Sequence, residues 1–456
     1  MARQSASDDH KLRQGGVAPG ELDAGEHGDT ATVVVEHVPT SGRGGMRLMP
    51  RTFDSFNDRE FRWFYLAMLG QMAAMNMQLV VRGFLAFDLT GSYAALGLVG
   101  LAGALPMLFL SVFGGVLADR LPKRLVLQVG QAASLLNAAV MAGLIVAGLM
   151  RIEWLLLGAL AQGAVMALMM PSRQAMIPDI VGMQRMMNAV ALNQAGMNSM
   201  RLLAPAAGGF IVAAAGFDWA FLAMAALYGV AILGLLRVTW QPATAPSENG
   251  AGPLQAGLSS LRDIRDGLSY IRGDQLMFTL LAVSFISSLF GMPYLFLLPG
   301  YVADIFDGDG FDIGLLISIS AIGSLAGSLV LASLPDKRRG MLLLAGATVL
   351  GIGLLAFTLT ESYWLAAAFM VPVGVGSALR QALSQGLLHS YVDNAYRGRV
   401  MSVFMTQFSV MQLGTFFVGM AAEFVGIRLS FAVLALGLVA VTAFVFLFVP
   451  RVRQVD

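Results

Sequence analysis

Two arginines sit inside long apolar stretches, each on a polar stripe. Gln71, Met75, Gln78 and Arg82 recur at the spacing of one helix face, and Gln194, Asn198, Arg201 and Pro205 do the same. Polar groups facing hydrocarbon would be unsatisfied, so both stripes must face protein or a water-filled cavity. A guanidinium presents five N–H donors in a rigid fork that matches a carboxylate or phosphate. Arg201, Arg82, Gln71, Gln78, Gln194 and Asn198 are therefore candidate contacts for an anionic ligand. Arg201 falls midway along its apolar run, whereas Arg82 lies nearer one end, where anchoring at an interface competes with a ligand role. No Asp or Glu stands near the middle of any run; Asp88 and Glu423 sit close to ends. A carrier of cations would need a deep carboxylate, so the electrostatics lean towards organic anions.

Other chemistries lack their residues. With no cysteine there is no disulfide, thiol nucleophile or thiolate metal site. Only three lysines occur and no Gly-x-x-x-x-Gly-Lys-Ser/Thr stretch, which argues against an ATP-driven pump. A membrane-embedded enzyme would need a deep cluster of His, Asp, Glu or Cys, and none is present. His10, His27 and His37 are irregularly spaced, so no metal site and no cofactor is expected.

The elements that must position the arginines follow from composition. Hydrophobic residues make up 57% of the 456 and charged residues only 12%, with a mean hydropathy of +0.71. A span needs about 20 apolar residues. Such runs fall at 62–87, 93–117, 125–148, 153–174, 188–214, 217–238, 276–303, 312–334, 340–359, 363–388, 399–425 and 427–449. Residues 1–52 lack apolar periodicity and read as a disordered tail. Residues 240–275 begin with Pro242, Pro246 and Pro253 and turn amphipathic from Leu258 to Ile271, which reads as a linker with a surface helix. They divide the runs into 53–239 and 276–450, with 451–456 as a short C-terminal tail. A faint repeat supports this division: Arg173-Gln-Ala recurs as Arg380-Gln-Ala, and Asn188-Ala-Val corresponds to Arg399-Val-Met about 210 residues later.

Alternate breaks between runs differ in charge. Those after runs 1, 3, 5, 7, 9 and 11 carry Asp88, Glu153, Asp218, Asp304, Asp307, Asp309, Asp312, Glu361 and Glu423, with Arg151 and Arg428 as their cations. The others carry Arg120, Lys123, Arg124, Arg173, Arg185, Arg237, Arg262, Arg265, Arg272, Lys337, Arg338, Arg339, Arg397 and Arg399. Lys and Arg accumulate on the cytoplasmic side, so both termini and the tails are expected there.

Between runs 2 and 3 lies Gly115-x-Leu117-Ala118-Asp119-Arg120-x-Pro122-Lys123-Arg124-x-x-Leu127. It resembles the loop 2-3 signature of the major facilitator superfamily, with Pro122 where that pattern has glycine. Leu89-Thr-Gly-Ser92, Arg397-Gly-Arg-Val-Met-Ser402 and Phe290-Gly-Met-Pro-Tyr294 resemble the branch of enterobactin-type siderophore exporters and macrolide efflux proteins. Ala204-Pro205-Ala-Ala-Gly208-Gly209 resembles the superfamily's antiporter motif, with Ala204 in place of its first glycine. Gln162-Gly163 resembles the end of the motif that bears a membrane arginine three residues earlier, where this chain has Ala159.

The resemblance implies an all-α membrane protein with the major facilitator fold, twelve transmembrane helices in two six-helix pseudo-repeats. It implies that Asp119 meets the start of run 11, near Arg397 and Arg399. Gly115, Asp119, Arg120, Lys123, Arg124, Arg397, Arg399, Pro205, Gly208 and Gly209 then act in gating. The expected function is proton-coupled export of an amphiphilic, anionic organic molecule, such as a siderophore or other metabolite or drug, by alternating access. Import of an organic anion is the alternative. The expected partners are a small-molecule substrate, protons and the bilayer, with no nucleic acid, for a monomer in the inner (cytoplasmic) membrane.

Overall fold

A computed structural model describes residues 55–56, 58–238, 267–334, 337–393 and 396–455, and the side chains of 111–120, 174–175, 177–179, 181–188, 190–191 and 402 lie outside that description. The expected tail at 1–52 and most of the expected linker at 240–275 therefore fall outside the described residues. Everything below concerns the compact unit Pro50–Asp456.

The described residues are helical throughout: α1 (Arg59–Thr90), α2 (Tyr93–Arg120), α3 (Lys123–Val146), α4 (Ile152–Ala215), α5 (Phe217–Arg237), α6 (Gln275–Gly291), α7 (Pro293–Phe306), α8 (Gly310–Ser333), α9 (Arg339–Leu359), α10 (Tyr363–Tyr391), α11 (Arg397–Met405), α12 (Gln407–Val425), α13 (Ile427–Phe448) and α14 (Pro450–Arg453). Local sequence sets their ends. The Asp58 side chain accepts from the Glu60 and Phe61 amides at the start of α1, Asp274 does so for α6, and Asp309 forms a capping box with Asp312 at α8. Pro293 opens α7, where its missing N–H costs nothing, and so splits the seventh apolar run into α6 and α7. The eleventh run is likewise divided, at Thr406.

The 64-residue α4 departs from the expected pair of runs. A straight helix of that length would reach about 96 Å, three times a bilayer core. Its contacts show two limbs instead. Arg82 of α1 meets Gly158 and Gln71 meets Met169, so the first limb runs against α1. Tyr65 meets Leu192, and Gly208 packs on Met77, so the second limb runs with it. Arg173 lies 3.8 Å from the Met197 sulfur, although a separation of 24 positions along a straight helix would hold them about 36 Å apart. The chain therefore turns back within the helical run. Eleven helical segments among the described residues are long and apolar enough to cross a membrane, and the second limb of α4 completes twelve.

The first half comprises α1 to α5 and the second α6 to α13. They meet along two seams. A Cβ on Gly97 of α2 would stand 2.6 Å from the Phe416 Cα of α12, and one on Gly209 of α4 would overlap the Gly310 carbonyl of α8. Only glycine permits such backbone approach. Ser318 of α8 also donates to the Leu202 carbonyl at 2.6 Å. The glycine contacts fall towards the end of the bundle that carries Asp304, Asp309 and Glu423, here called the acidic end, and the Ser318 bond lies nearer the middle; the opposite, basic end carries Lys123, Arg124 and Arg397. Exposed apolar side chains such as Leu233, Ile352, Val433 and Phe444 cover α5, α9 and α13, the surface expected of helices that face lipid.

Candidate substrate site

Arg201 stands on the second limb of α4, and its side chain is exposed together with Gln194 and Asn198 on the same stripe. The lipid-facing residues of that limb, Leu203 and Phe210, are two and nine residues on, roughly half a turn round the helix. The stripe therefore looks inward. Arg201 has no hydrogen bond or ion pair among the described residues. Across the seam, Ser318 of α8 donates to the Leu202 carbonyl next to it, and Tyr294 of α7 lies in electrostatic range of Arg201 and of Arg380 on α10. Pro205 follows one turn later and cannot donate to the Arg201 carbonyl, a place where the helix can bend.

Gln71, Gln78 and Arg82 occupy one face of α1 as the spacing predicts, but all three are buried. The face turns to the first limb of α4 and not to the Arg201 stripe. Gln71 reaches the Met169 sulfur, and Arg82 donates to the Gly158 carbonyl at 3.3 Å. From the pairings of Tyr65 with Leu192 and Met77 with Gly208, Arg201 is level with about residue 71 of α1, leaving Arg82 about 16 Å nearer the acidic end. The structure thus separates the two arginines that the sequence grouped.

Arg82 belongs to a polar network inside the first half. Asn137 of α3 donates to the same Gly158 carbonyl at 3.0 Å and to the Gln162 side chain at 3.3 Å. The Gln162 amide reaches Ser134 at 3.1 Å and Tyr228 of α5 at 3.4 Å. One glutamine ties α3, α4 and α5, and the Gly158 carbonyl brings in α1. This accounts for Ser134 and Asn137 among the polar residues of α3.

Of the expected gating residues, Pro205, Gly208 and Gly209 lie where the second limb of α4 wedges between α1 and α8: Gly208 faces Met77, and the Pro205 carbonyl faces Gly314. Gly115, Asp119 and Arg120 lie in the last turns of α2, whose side chains are outside the described residues. Lys123 opens α3, Arg124 donates to the Leu236 carbonyl at 3.0 Å, Arg397 is exposed, and the Arg399 guanidinium lies over the Tyr396 ring.

Two sets of residues escaped the sequence reading. Among the described residues Arg380 is the largest fully buried side chain; it donates to Ser288 of α6 at 2.7 Å while its Nε finds no partner. Its recurrence in the Arg-Gln-Ala repeat was the available signal. At the acidic end, Glu423 of α12 accepts from the Ser92 hydroxyl at 2.6 Å and the Ala94 amide at 3.1 Å, and the Tyr93 hydroxyl donates to Asp304 of α7. The start of α2 is thus held by two carboxylates from the other half.

The comparisons with known proteins agree with this architecture. The transmembrane secretion effector family matches residues 51–456. The staphyloferrin A transporter of Staphylococcus aureus is 26% identical over 360 residues, 78% of this chain and 87% of that protein. The multidrug efflux pump Tap of Mycolicibacterium fortuitum is 25% identical over 398 residues, 84% and 94% of the two chains. Two solved structures share the fold: an inward-facing bacterial homolog of the human lysosomal transporter Spinster, at TM-score 0.67 and 15% identity over 89% of this chain and 98% of that one, and the inward-open xylose transporter XylE from E. coli, at TM-score 0.65 and 14% identity over 86% and 96%. The chain belongs to the transmembrane secretion effector family of the major facilitator superfamily and is a multi-pass membrane transporter, not an enzyme.

Proposed function

We propose that this transporter exports an amphiphilic, anionic organic molecule, a siderophore or related metabolite or drug, across the inner membrane by alternating access. The observation that carries the reading is Arg201, an inward-facing guanidinium midway along its span with no partner among the described residues. An unpaired charge at that depth is costly to keep, and a substrate carboxylate or phosphate would supply two charge-assisted hydrogen bonds. Export is supported by two of the relatives, one named for a siderophore and one for multidrug efflux. The basic end faces the cytoplasm by the distribution of Lys and Arg, and the chain works as a monomer. Rocking of the two halves would alternately part the glycine seams at the acidic end and the region around Asp119 and Arg397 at the basic end. The proton gradient is the energy source.

Uptake into inside-out vesicles tests this reading. An anionic substrate should accumulate when the lumen is made acidic, and a cationic analogue of equal size should not. Preference for the cation would overturn the charge argument, and indifference to the pH gradient would remove proton coupling.

A further inference from the structure

Arg173 and Arg380 occupy corresponding places in the two halves. Arg173, on the first limb of α4, points its two terminal nitrogens at the sulfurs of Met72 on α1 and Met197 on the second limb, both at 3.8 Å. Arg380, on α10, donates to Ser288 of α6, and Ser288 also accepts from Gln407 of α12. The three pairs, Arg173 with Arg380, Met72 with Ser288 and Met197 with Gln407, are each about 210 residues apart. In the first half the arginine of the fourth span bridges the first and fifth; in the second, Ser288 of the first span receives both the arginine of the fourth and Gln407 of the fifth. Both arginines are buried, at 5% and 1% exposure, and neither has a carboxylate partner among the described residues. Thioethers are weak acceptors and a single hydroxyl serves one of five N–H donors, so neither cation is neutralised.

These cations gather around Arg201. Met197, which touches Arg173, lies one helical turn before Arg201 on the same limb. Across the seam, Ser318 of α8 donates to the Leu202 carbonyl next to Arg201, and Ser324 of the same helix donates to the Gly374 carbonyl of α10, six residues before Arg380, with Tyr294 in electrostatic range of both arginines. Arg380 retains an unpartnered, fully buried Nε. A bridging role alone would account for its bond to Ser288, but not for the charge left over.

Resting on the reading that Arg201 binds a substrate anion, we propose that Arg380 is a second anchor, so that the substrate carries at least two oxyanion groups. One group pairs with Arg201 of the first half. The other displaces Tyr294 and pairs with Arg380 of the second half, which makes the substrate a strut between the two rocking bodies.

The test compares octanoate with octanedioate, equal in chain length and different in charge, by calorimetric titration of the full chain in lipid nanodiscs at low salt. The wild type should bind octanedioate about tenfold tighter or more. Arg380→Gln should bring that ratio close to one while leaving octanoate affinity within about twofold. Ser288→Ala, which removes the bridge and keeps the guanidinium, should preserve the ratio. If Arg380→Gln is not recovered as a folded monomer, Arg380→Lys keeps the charge without the fork and should lower the ratio severalfold. An unchanged ratio in the folded Arg380 variant overturns the second anchor. The Arg201 reading fails separately, if Arg201→Gln binds octanoate as well as the wild type does or if neither acid binds the wild type, and the second anchor falls with it.

Discussion

The Gln162 network and the Arg201 cluster are both polar groups inside an apolar bundle, yet they are built on opposite lines. Around Gln162, donors and acceptors from α1, α3, α4 and α5 meet one another: Arg82 and Asn137 share the Gly158 carbonyl, and Gln162 serves Asn137, Ser134 and Tyr228. Around Arg201 the cations outnumber their acceptors, and no carboxylate answers them among the described residues. A buried network in which most members meet a partner holds helices together, even though the Arg82 Nε is left over. A buried charge without a partner in the chain is a place for something that arrives from outside it. By this contrast we propose an architectural part for Arg82, which bonds within its own half although its Nε is left without a partner, and a functional one for Arg201.

Removing the unmatched charge should have the largest effect on transport and the smallest on folding. Arg201→Gln is expected to lower transport of an anionic substrate about 10- to 100-fold, the worth of a charge-assisted pair. Its thermal unfolding in detergent should be unchanged or slightly higher, since an uncompensated charge has been deleted. A variant that transports normally, or one that fails to fold, would erase the distinction from the Gln162 network. The converse substitution, Gln162→Leu, breaks three interhelical hydrogen bonds at once. At about 0.6 kcal/mol for each such bond in a membrane protein, about 2 kcal/mol of stability should go. The unfolding temperature should fall while the apparent KM of the protein that remains folded is kept. An unaltered unfolding temperature would mean that the network is not what holds the first half.

The same contrast explains which parts of the molecule were legible in the sequence. Apolar run length and the loop after α2 carry the fold, because a span must be long and apolar whatever it packs against. The turn within α4 is harder to place, since Pro178 and Gly182 stand between Arg173 and Ala189 yet the backbone stays helical through both. The stripes were read correctly as faces, but periodicity does not say which neighbour a face meets. Gln71 and Arg82 look into their own half, and Arg201 looks across the seam. Arg380 was passed over because it lies among the polar residues Gln381, Gln385 and His389, and only the fold shows that it turns to Ser288 while Gln381, Gln385 and His389 are exposed. Glu423 and Asp304 read as part of an acidic loop pattern. Their partner, the start of α2, is more than 200 residues away, a relation that no local pattern records.

Those last contacts permit a finer division among partnered charges, because α2 has a carboxylate at each end. Glu423 accepts from Ser92 and Ala94, so it sits at the amide-rich N-terminus of α2, where a negative charge is favoured. At the other end of α2, Asp119 is proposed to meet the N-terminus of α11. The first contact would hold the acidic end shut, and the second the basic end. Each is worth about 0.3 to 1 kcal/mol, so neutralising either should tilt the equilibrium between the two states by about two- to fivefold. The chain has no cysteine, so one introduced thiol reports without background. Gln412 suits this purpose: it is buried on α12, and its side chain fills the space over Gly100 of α2. In a Gln412→Cys protein, maleimide labelling should quicken with Glu423→Gln, as the acidic end opens more often. It should slow with Asp119→Asn, as the basic end opens instead. Shifts in the same direction would show that the two carboxylates are not opposing latches, and an unchanged rate with Glu423→Gln would reduce its hydrogen bonds to a simple helix cap.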